Sequence, residues 1–428
     1  MVNLGRATRR EARVDAPAVE PIVTPALEEG GMLHSLQTYR PFRLLFTGTL
    51  ATNSAFWMYQ IAVGWLALEQ TNSPFFVGLT GFAGGIPLLF LALPAGVIID
   101  RFDRRTVLMA AQVGVMAIAG LFALLVGTGL IERWSILLLA FLYGVAMSFV
   151  FPTRNAIVPD LVDRQHLANA VALNAAGQNA TRVVGPSLAG LLIALIGIAG
   201  AFAVAAAMQI LALYWTAQLP ASVSAKSARG GTLWTSLTLG LRVVAKDPFL
   251  MGLILLATAT TVLIMPYINL MPVFARDELG LGSTGLGVLM ASSGLGSVTG
   301  ALSVARYRKL ATWPGIQIIT AVGFAVTVLL FAIAPSMLLA TLLLFAAGLM
   351  SASYMAINQT VLQLKVDDDV RGRVLSIYLL TWGMLPLGQL PLGALADRFG
   401  APSATAIACA IALGCIALMA LRFPSLRK

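Results

Sequence analysis

Long apolar stretches separated by short polar segments fill the chain from about residue 42 to residue 421. Twelve of them reach the roughly 20 residues with which an α-helix crosses a bilayer, well beyond the ~9–11 residues of a membrane β-strand. We number them span 1 to span 12 and predict them at about residues 42–68, 75–99, 106–128, 135–158, 167–195, 198–218, 249–274, 283–304, 313–334, 336–362, 371–396 and 401–421. The pattern predicts an all-α polytopic membrane protein.

Polar segments divide these spans into two sets of six. Residues 1–38 carry mixed charges and prolines without an apolar core or a signal-peptide region, so we expect a disordered cytoplasmic tail. Residues 219–248 begin as a loop and become amphipathic at helical spacing, which predicts a cytoplasmic linker with a helix on the membrane surface. The six-helix halves are then residues 39–218 and 249–422, followed by a cytoplasmic C-terminus at 423–428.

The composition excludes a soluble enzyme. Of the 428 residues, 58% are hydrophobic and 11% are charged, whereas soluble domains carry roughly a quarter charged residues. Two cysteines, Cys409 and Cys415, both lie in span 12 and predict neither a disulfide nor a metal site. The net charge of +10 does not indicate a nucleic-acid partner, because the basic residues recur between alternate spans and form no single patch.

The placement of these basic residues predicts the topology. The N-terminal tail, the connections 2–3, 4–5, 6–7, 8–9 and 10–11, and the C-terminus hold 24 of the 28 lysines and arginines, and the opposite side holds 3. This count assigns Arg154 to the connection between spans 4 and 5 and leaves Arg182 inside span 5. Because basic residues concentrate in cytoplasmic loops, we expect an even number of spans and two cytoplasmic termini.

The two halves resemble each other in sequence. GVIIDRFDRR at 96–105 aligns with GALSVARYRK at 300–309 at an offset of 204, and Asn155 aligns with Asn358 at an offset of 203. Two anchors with nearly one offset indicate a duplication. Parallel halves of this kind, related by an axis along the membrane normal, are the plan of one large class of transporters, so we predict two pseudo-symmetric six-helix halves.

Twelve spans in two halves, with GVIIDRFDRR between spans 2 and 3, resemble the major facilitator superfamily and its signature G-x-L-a-D-R-x-G-R-[KR]. Ile98 replaces the leucine and Asp103 the second glycine of that signature. Residues 39–68, ALPAGVIIDRFDRR and RVVGPSLAG are similar to the drug and siderophore exporters of this superfamily, the enterobactin-exporter and macrolide-efflux group. The likeness covers roughly residues 38–422.

This resemblance implies a function. It implies a secondary transporter that exports a small hydrophobic or amphipathic molecule, such as a drug, antibiotic or siderophore, across the plasma (bacterial inner) membrane. Export would proceed by alternating access and proton antiport. Uptake symport and lysophospholipid transport are alternatives, and a non-transporting sensor or membrane enzyme is a further one from another class.

Two motifs are expected to control the conformational change. In the family, the aspartate at Asp100 docks on the other half and holds the outward-facing form closed on the cytoplasmic side. The other residues assigned to gating in this loop are Gly96, Arg101, Arg104 and Arg105, of which Arg101 and Arg105 have a simple alternative role as positive-inside anchors. In span 5, Gly185, Pro186 and Gly190 resemble the antiporter signature of exporters, and ordinary close packing is the alternative.

Polar and aromatic side chains inside the spans predict a substrate cavity. Arg182 lies about 22 Å into span 5 at 1.5 Å per residue, and a lone arginine at that depth is costly unless it faces protein or water. It shares a helix face with Asn174 and Gln178. The other candidates are Asn53, Trp57 and Gln60 of span 1 and Tyr267, Asn358, Tyr378 and Trp382 of spans 7, 10 and 11. For each single amide or aromatic residue, packing or interhelical hydrogen bonding is the alternative.

The energy source follows only from the resemblance. All 18 acidic residues lie at span ends or in loops, whereas intramembrane carboxylates usually carry protons in such pumps. The candidate proton carriers are therefore Glu69 and Asp100 at span ends, or the substrate itself. The sequence has no Walker A motif, metal-ligand spacing or nucleophile–base pair. We expect no cofactor beyond the proton-motive force, the bilayer and a small amphipathic substrate as partners, and a monomer.

Overall fold

The structure, a computed structural model, describes residues 33–221, 233–307, 313–366 and 368–427. Spans 1 to 4 are the helices Arg40–Thr71, Pro74–Arg101, Arg104–Gly127 and Arg133–Ile157, and spans 5 and 6 share the helical run Leu167–Ala217. Spans 7 to 10 are the helical segments Pro248–Glu278, Gly282–Arg306, Ile316–Ala332 and Met337–Lys365. Span 11 consists of Asp368–Gly383 and Leu385–Phe399, and span 12 is Ala401–Arg422. Because the described residues form helices and no strands, the predicted all-α fold is confirmed.

Nine of the described helical segments are long and apolar enough to cross a membrane. One of these, the run Arg164–Ala217, contains both span 5 and span 6. Span 9 is apolar but 17 residues long, and span 1 is 32 residues long with several polar residues in its middle. Every span predicted from the hydropathy pattern is thus helical.

Glycine and proline account for the breaks in these helices. At Gly197, φ is +74°, a conformation that glycine adopts without strain, and it separates spans 5 and 6 between their predicted bounds. Span 11 breaks at Met384 just before Pro386, because proline lacks the backbone donor that a continuous helix needs. Span 7 changes to π geometry at Thr260–Ile264 and Phe274–Glu278, on either side of Pro266 and Pro272.

The expectation of a disordered tail over residues 1–38 is wrong at its C-terminal end. A short helix, His34–Thr38, lies against the start of span 1 and against span 5. Ser35 is fully buried, and its backbone N–H donates to Asn169 Oδ1 over 3.2 Å. The rest of the tail lies outside the described residues.

The spans pack as two bundles. In the first, span 1 lies against the spans 5 and 6 run, span 2 against span 4, and span 3 against spans 4 and 6. In the second, span 8 lies against span 10, and span 9 against spans 10 and 12. Gly144 and Gly348, 204 residues apart, occupy matching places, because a β-carbon at either would collide with the carbonyl oxygen of Gly84 or Ser293. Close packing of spans 2 and 4 thus repeats in spans 8 and 10.

The bundles meet along a seam where span 5 contacts span 8 and span 2 contacts span 11. Span 7 completes the seam by contacting spans 1 and 2. We call the end of the molecule that carries loops 2–3 and 4–5 the basic face and the opposite end, with loops 1–2 and 11–12, the far face. Outside the seam, the amphipathic helix Leu233–Lys246 packs on the first helix of span 11. Residues 222–232, predicted as the loop before it, lie outside the described residues.

Candidate functional site

A small cavity lies in the seam between the two bundles. Its volume is about 50 Å³, room for about one or two waters, whereas a drug-sized ligand occupies roughly 300–1,000 Å³. The residues that line it include Trp57, Gln60, Thr80, Ala140, Asn269, Pro272 and Met290. Spans of both halves therefore contribute to it, and a substrate requires the seam to open.

Arg182 approaches this cavity through Trp57. Its guanidinium carbon lies 5.5 Å from the centre of the Trp57 ring, within cation–π range. Gly185 permits the approach, because a β-carbon there would lie 2.6 Å from Trp57 Cβ. Arg182, Trp57 and Gln60, all predicted cavity residues, thus come together at or beside the cavity. Tyr267 of span 7 does not line it, because its ring is 2% exposed and packs against Phe324 and Phe331 of span 9.

Two amides in the seam were missed by the sequence analysis. Asn269 Nδ2 and Gln389 Oε1 are buried and have no hydrogen-bond partner. Both amides lie over Gly81, where a β-carbon would be 2.7 Å from the Asn269 nitrogen and 3.0 Å from the Gln389 oxygen. A buried donor and acceptor without partners are costly unless a ligand or water satisfies them. Single amides in apolar helices give no periodic signal by which the sequence could have revealed them.

Three predicted cavity residues lie in a different place. Tyr378 and Trp382 line a separate cavity of about 10 Å³ inside the second bundle, together with Thr260 and Tyr354. Asn358 is fully buried beside Tyr354 and Tyr378 of the same bundle. The prediction of one cavity for all these residues is therefore wrong for this conformation, because spans 10 and 11 turn them into their own bundle.

The remaining predicted amides lie within the first bundle. Asn53 is 5% exposed and Asn174 is 7% exposed. Asn174 Nδ2 donates to Asn155 Oδ1 over 3.5 Å, so it joins spans 5 and 4 and does not face the opposite half. The backbone carbonyl of Gln178 accepts a hydrogen bond from the Thr181 hydroxyl at 2.7 Å.

Arg154 is the largest correction to the sequence analysis. It was counted as a loop residue, but its side chain is 3% exposed inside the first bundle. Nη2 donates to Thr52 Oγ1 over 2.6 Å, and Thr52 in turn donates to Gln209 Oε1 over 3.2 Å. Its Nε and Nη1 have no partner. Arg154 is therefore a cation buried between helices, although it lies in the last turn of span 4.

The loop between spans 2 and 3 is tied to its own half by arginines. Arg104 Nη1 donates to the Ala156 carbonyl and to Asp160 Oδ2, both over 2.8 Å, at the end of span 4. Arg105 donates to the carbonyl of Ala217 at the end of span 6. Asp103, which departs from the family signature, caps span 3 by accepting hydrogen bonds from Thr106.

The other loop residues are placed as follows. Asp100 and Arg101 are exposed in the last turn of span 2, and Gly96 is half-buried one turn earlier. Nearby on the basic face, the Tyr39 hydroxyl donates to Asp163 Oδ2 at 2.7 Å. That hydrogen bond raises the pKa of the Tyr39 hydroxyl.

The two glycines of the span 5 motif have different partners. Gly185 faces span 1 within the first bundle, whereas Gly190 faces span 8 of the second, where a β-carbon would lie 2.6 Å from Gly287 Cα. Pro186, next to Gly185, is buried. Small residues at Gly190 and Gly287 therefore let the two halves approach closely along the seam.

The described residues offer no metal site, because no three histidine, cysteine, aspartate or glutamate side chains among them come together. Within the same part of the chain, Cys409 and Cys415 are both free thiols.

Residues 35–428 match the transmembrane secretion effector family of the major facilitator superfamily. The chain belongs to this family. The match runs from the short N-terminal helix to the last residue and so includes both bundles, the seam and the linker between them.

Its relatives include exporters of drugs and of siderophores. The chain is 29% identical to the multidrug efflux pump Tap of Mycobacterium tuberculosis, over 91% of this chain and 94% of Tap. It is 26% identical to the staphyloferrin A transporter of Staphylococcus aureus, over 83% of this chain and 88% of that protein. It is 27% identical to the enterobactin exporter EntS of Shigella boydii, over 80% of this chain and 82% of EntS. These likenesses confirm the predicted drug and siderophore exporter group.

Solved transporter structures share the fold. A bacterial homologue of the lysosomal transporter Spinster, in an inward-facing and unoccupied conformation, superposes with a TM-score of 0.71 at 16% identity, over 91% of this chain and 99% of that one. A POT family transporter gives a TM-score of 0.72 at 12% identity, over 91% and 97%. The family, its relatives and this fold make the chain a multi-pass membrane transporter and not an enzyme.

Proposed function

We propose that this transporter exports small hydrophobic or amphipathic molecules, drugs or siderophores among them, by alternating access between its two halves. The observation that carries the proposal is the cavity in the seam, which Trp57 and Gln60 of one half line together with Asn269 of the other, and which Arg182 adjoins through the Trp57 ring. An aromatic ring, a cation and unpaired amides suit substrates with apolar bodies and scattered acceptor oxygens. Multidrug efflux and enterobactin export are the activities named for Tap and EntS.

The volume of this cavity supports alternating access. At about 50 Å³ it is too small for such a substrate, so the two halves must separate along the seam during transport. The contacts that close the seam are short backbone approaches at Gly190 and at Gly78, which faces Gly393 of span 11. Glycine contacts of this kind allow rigid bundles to separate and close again without rearranging large side chains.

In this mechanism the basic face is cytoplasmic and the far face is extracellular. The positive-inside rule supports this orientation even with Arg154 removed from the loop count. Asp100, exposed at the basic face, latches the halves together there when the far face is open. A proton antiported at a span end, at Glu69 or Asp100, supplies the energy, and the protein works as a monomer in the bacterial inner membrane.

Efflux from cells tests the proposed activity. The chain is expressed in a host without its own major pumps, and the loss of preloaded fluorescent amphipathic dyes and of a catecholate siderophore is followed over time. We expect faster loss than from cells with an empty vector, and a slower loss with Trp57→Ala. Trp134→Ala is the matched control, because Trp134 is 77% exposed at the far-face end of span 4. Equal retention in all cells would exclude export, and greater accumulation would indicate uptake.

A further inference from the structure

We infer that Asp397 and Arg276 of the second half clamp the hairpin of spans 1 and 2 at the far face and thereby close the far end of the cavity. The inference rests on the proposed transport cycle, in which the far face opens and closes. It assigns gating roles to two residues at span ends that the family signature does not include.

Asp397, at the end of span 11, binds the start of span 2 in the other half. Its Oδ1 accepts hydrogen bonds from Ser73 Oγ over 2.7 Å and from the Phe75 backbone N–H over 3.3 Å. Ser73 is the N-cap residue of span 2 and also accepts from Phe76 N. The N-terminus of a helix carries unpaired N–H groups and a partial positive charge, so it attracts a carboxylate.

Arg276, at the end of span 7, binds the end of span 1. Its Nη1 donates to the Leu68 carbonyl over 3.2 Å, in the last turn of that helix. A helix C-terminus carries a partial negative charge, so it attracts a guanidinium. Asp277 holds the same guanidinium through its Oδ1, 2.5 Å from Arg276 Nε. The second half therefore places opposite charges on the opposite dipole ends of one hairpin.

Close packing continues from these contacts towards the cavity. Beneath Asp397, a β-carbon at Gly78 would lie 2.9 Å from Gly393 Cα of span 11. Beneath Arg276, a β-carbon at Gly64 would lie 3.3 Å from Pro272 Cγ of span 7, and both of these residues line the cavity. Releasing the two charges is therefore a requirement for opening the seam to the far face.

The sequence repeats the same motif at the two ends of this interface. GVIIDRF at 96–102 ends span 2 at the basic face, and GALADRF at 393–399 ends span 11 at the far face, with four of seven residues identical. Spans 2 and 11 pack against each other. The residue that aligns with Asp100 in the duplicated half, Val304, is apolar and buried. The second aspartate of the interface is thus supplied by span 11, at the opposite end.

Cysteine accessibility tests the clamp directly. The reporter is Thr80→Cys in a chain whose two native cysteines are replaced, because Thr80 is 2% exposed and lines the cavity below the clamp. A membrane-impermeant maleimide is applied to right-side-out and inside-out vesicles, and Glu132→Cys in the far-face loop 3–4 identifies which vesicles present that face. One exposed charge–dipole contact shifts a conformational equilibrium by about two- to fivefold. We expect Asp397→Asn and Arg276→Gln each to raise the labelling rate from the far face by about that factor.

Arg398→Gln is the matched control. Arg398 neighbours Asp397 at the same face, but its guanidinium lies over the ring of Phe399 in its own half, 5.4 Å from the ring centre. We expect no change in labelling for this variant. Should Asp397→Asn fail to reach the membrane, Ser73→Ala removes the donor, keeps the carboxylate and is expected to raise labelling as well.

Labelling that is equal in the Asp397, Arg276 and Arg398 variants would overturn the clamp. Efflux measured in cells that express the parent chain separates the two proposals. A labelling shift without parental efflux removes export and keeps the clamp, whereas efflux without a labelling shift removes the clamp and keeps export.

Discussion

Replacing Arg154 by methionine tests whether its buried guanidinium destabilises or stabilises the folded first bundle. The guanidinium makes one hydrogen bond, to Thr52, and leaves Nε and Nη1 unpaired in a buried site. The ion pairs of the described residues, such as Arg104–Asp160, do not include it. Taking such a charge out of water is expensive when nothing neutralises it.

The expected change in stability follows from these contacts. Each unsatisfied buried nitrogen costs about 1–3 kcal/mol, whereas one charge-assisted hydrogen bond contributes about 1.5–3 kcal/mol. Methionine reaches nearly as far, packs in an apolar site and needs no partner, and Thr52 keeps its bond to Gln209. We therefore expect the free energy of unfolding of Arg154→Met to be unchanged or higher by about 1–3 kcal/mol.

The measurement is unfolding by SDS in mixed micelles, followed by tryptophan fluorescence, beside efflux by the same variant in cells. An ionisable side chain buried within a membrane span is by default a functional one, so we expect well-folded protein with reduced efflux. Arg104→Met serves as a control that breaks a partly exposed ion pair and loses about 1 kcal/mol or less. If the free energy of unfolding of Arg154→Met fell by more than about 2 kcal/mol, the guanidinium would stabilise the folded protein, contrary to our reasoning.

Three further predictions concern gating, the cavity and topology. Asp100→Asn is expected to insert normally but to transport poorly, since a neutral amide loses a charge-assisted contact of about 1.5–3 kcal/mol; wild-type efflux would remove the latch. Arg182→Lys keeps the charge and should retain partial efflux, whereas Arg182→Gln should lose more, most of all for anionic substrates, and equal efflux by both would make Arg182 a packing residue. A cytoplasmic reporter fused at Lys428 should be active and one fused after Glu132 silent; the reverse would overturn the orientation.

Hydropathy alone predicted the helices because crossing a bilayer imposes length and composition on each span separately. The break at Gly197 falls between the predicted bounds of spans 5 and 6, because a stretch of this length holds two spans. The late start of span 9 at Ile316 was not predicted, because Trp313 and Pro314 read as apolar although Gly315 adopts a φ of +70°. A hydropathy scale does not register the backbone conformation of a glycine, and that conformation determines where span 9 begins.

The site was less predictable because it depends on which way each helix turns its polar residues. Arg154 lies near the end of span 4, where the hydropathy pattern does not distinguish a loop arginine from one that its helix directs into the bundle. The same pattern places Asn358 and Tyr378 inside spans but does not show that they turn away from the seam. Trp57 of span 1 and Arg182 of span 5 were identified separately, because the spacing of polar residues within each helix shows which of them share a face.

Three acidic residues at the ends of spans bind the N-termini of helices. Asp103 caps span 3, Asp247 caps span 7 through the backbone N–H groups of Phe249 and Leu250, and Asp397 binds the start of span 2. Each of these carboxylates meets a helix N-terminus, where a negative charge is stabilised by about 0.3–1 kcal/mol. Acidic residues at the span ends therefore hold helix ends in place within each half, and at Asp397 one of them holds the two halves together. In this chain the acidic side chains stabilise contacts at the membrane surfaces, so their absence from the middle of the spans leaves these interhelical contacts intact.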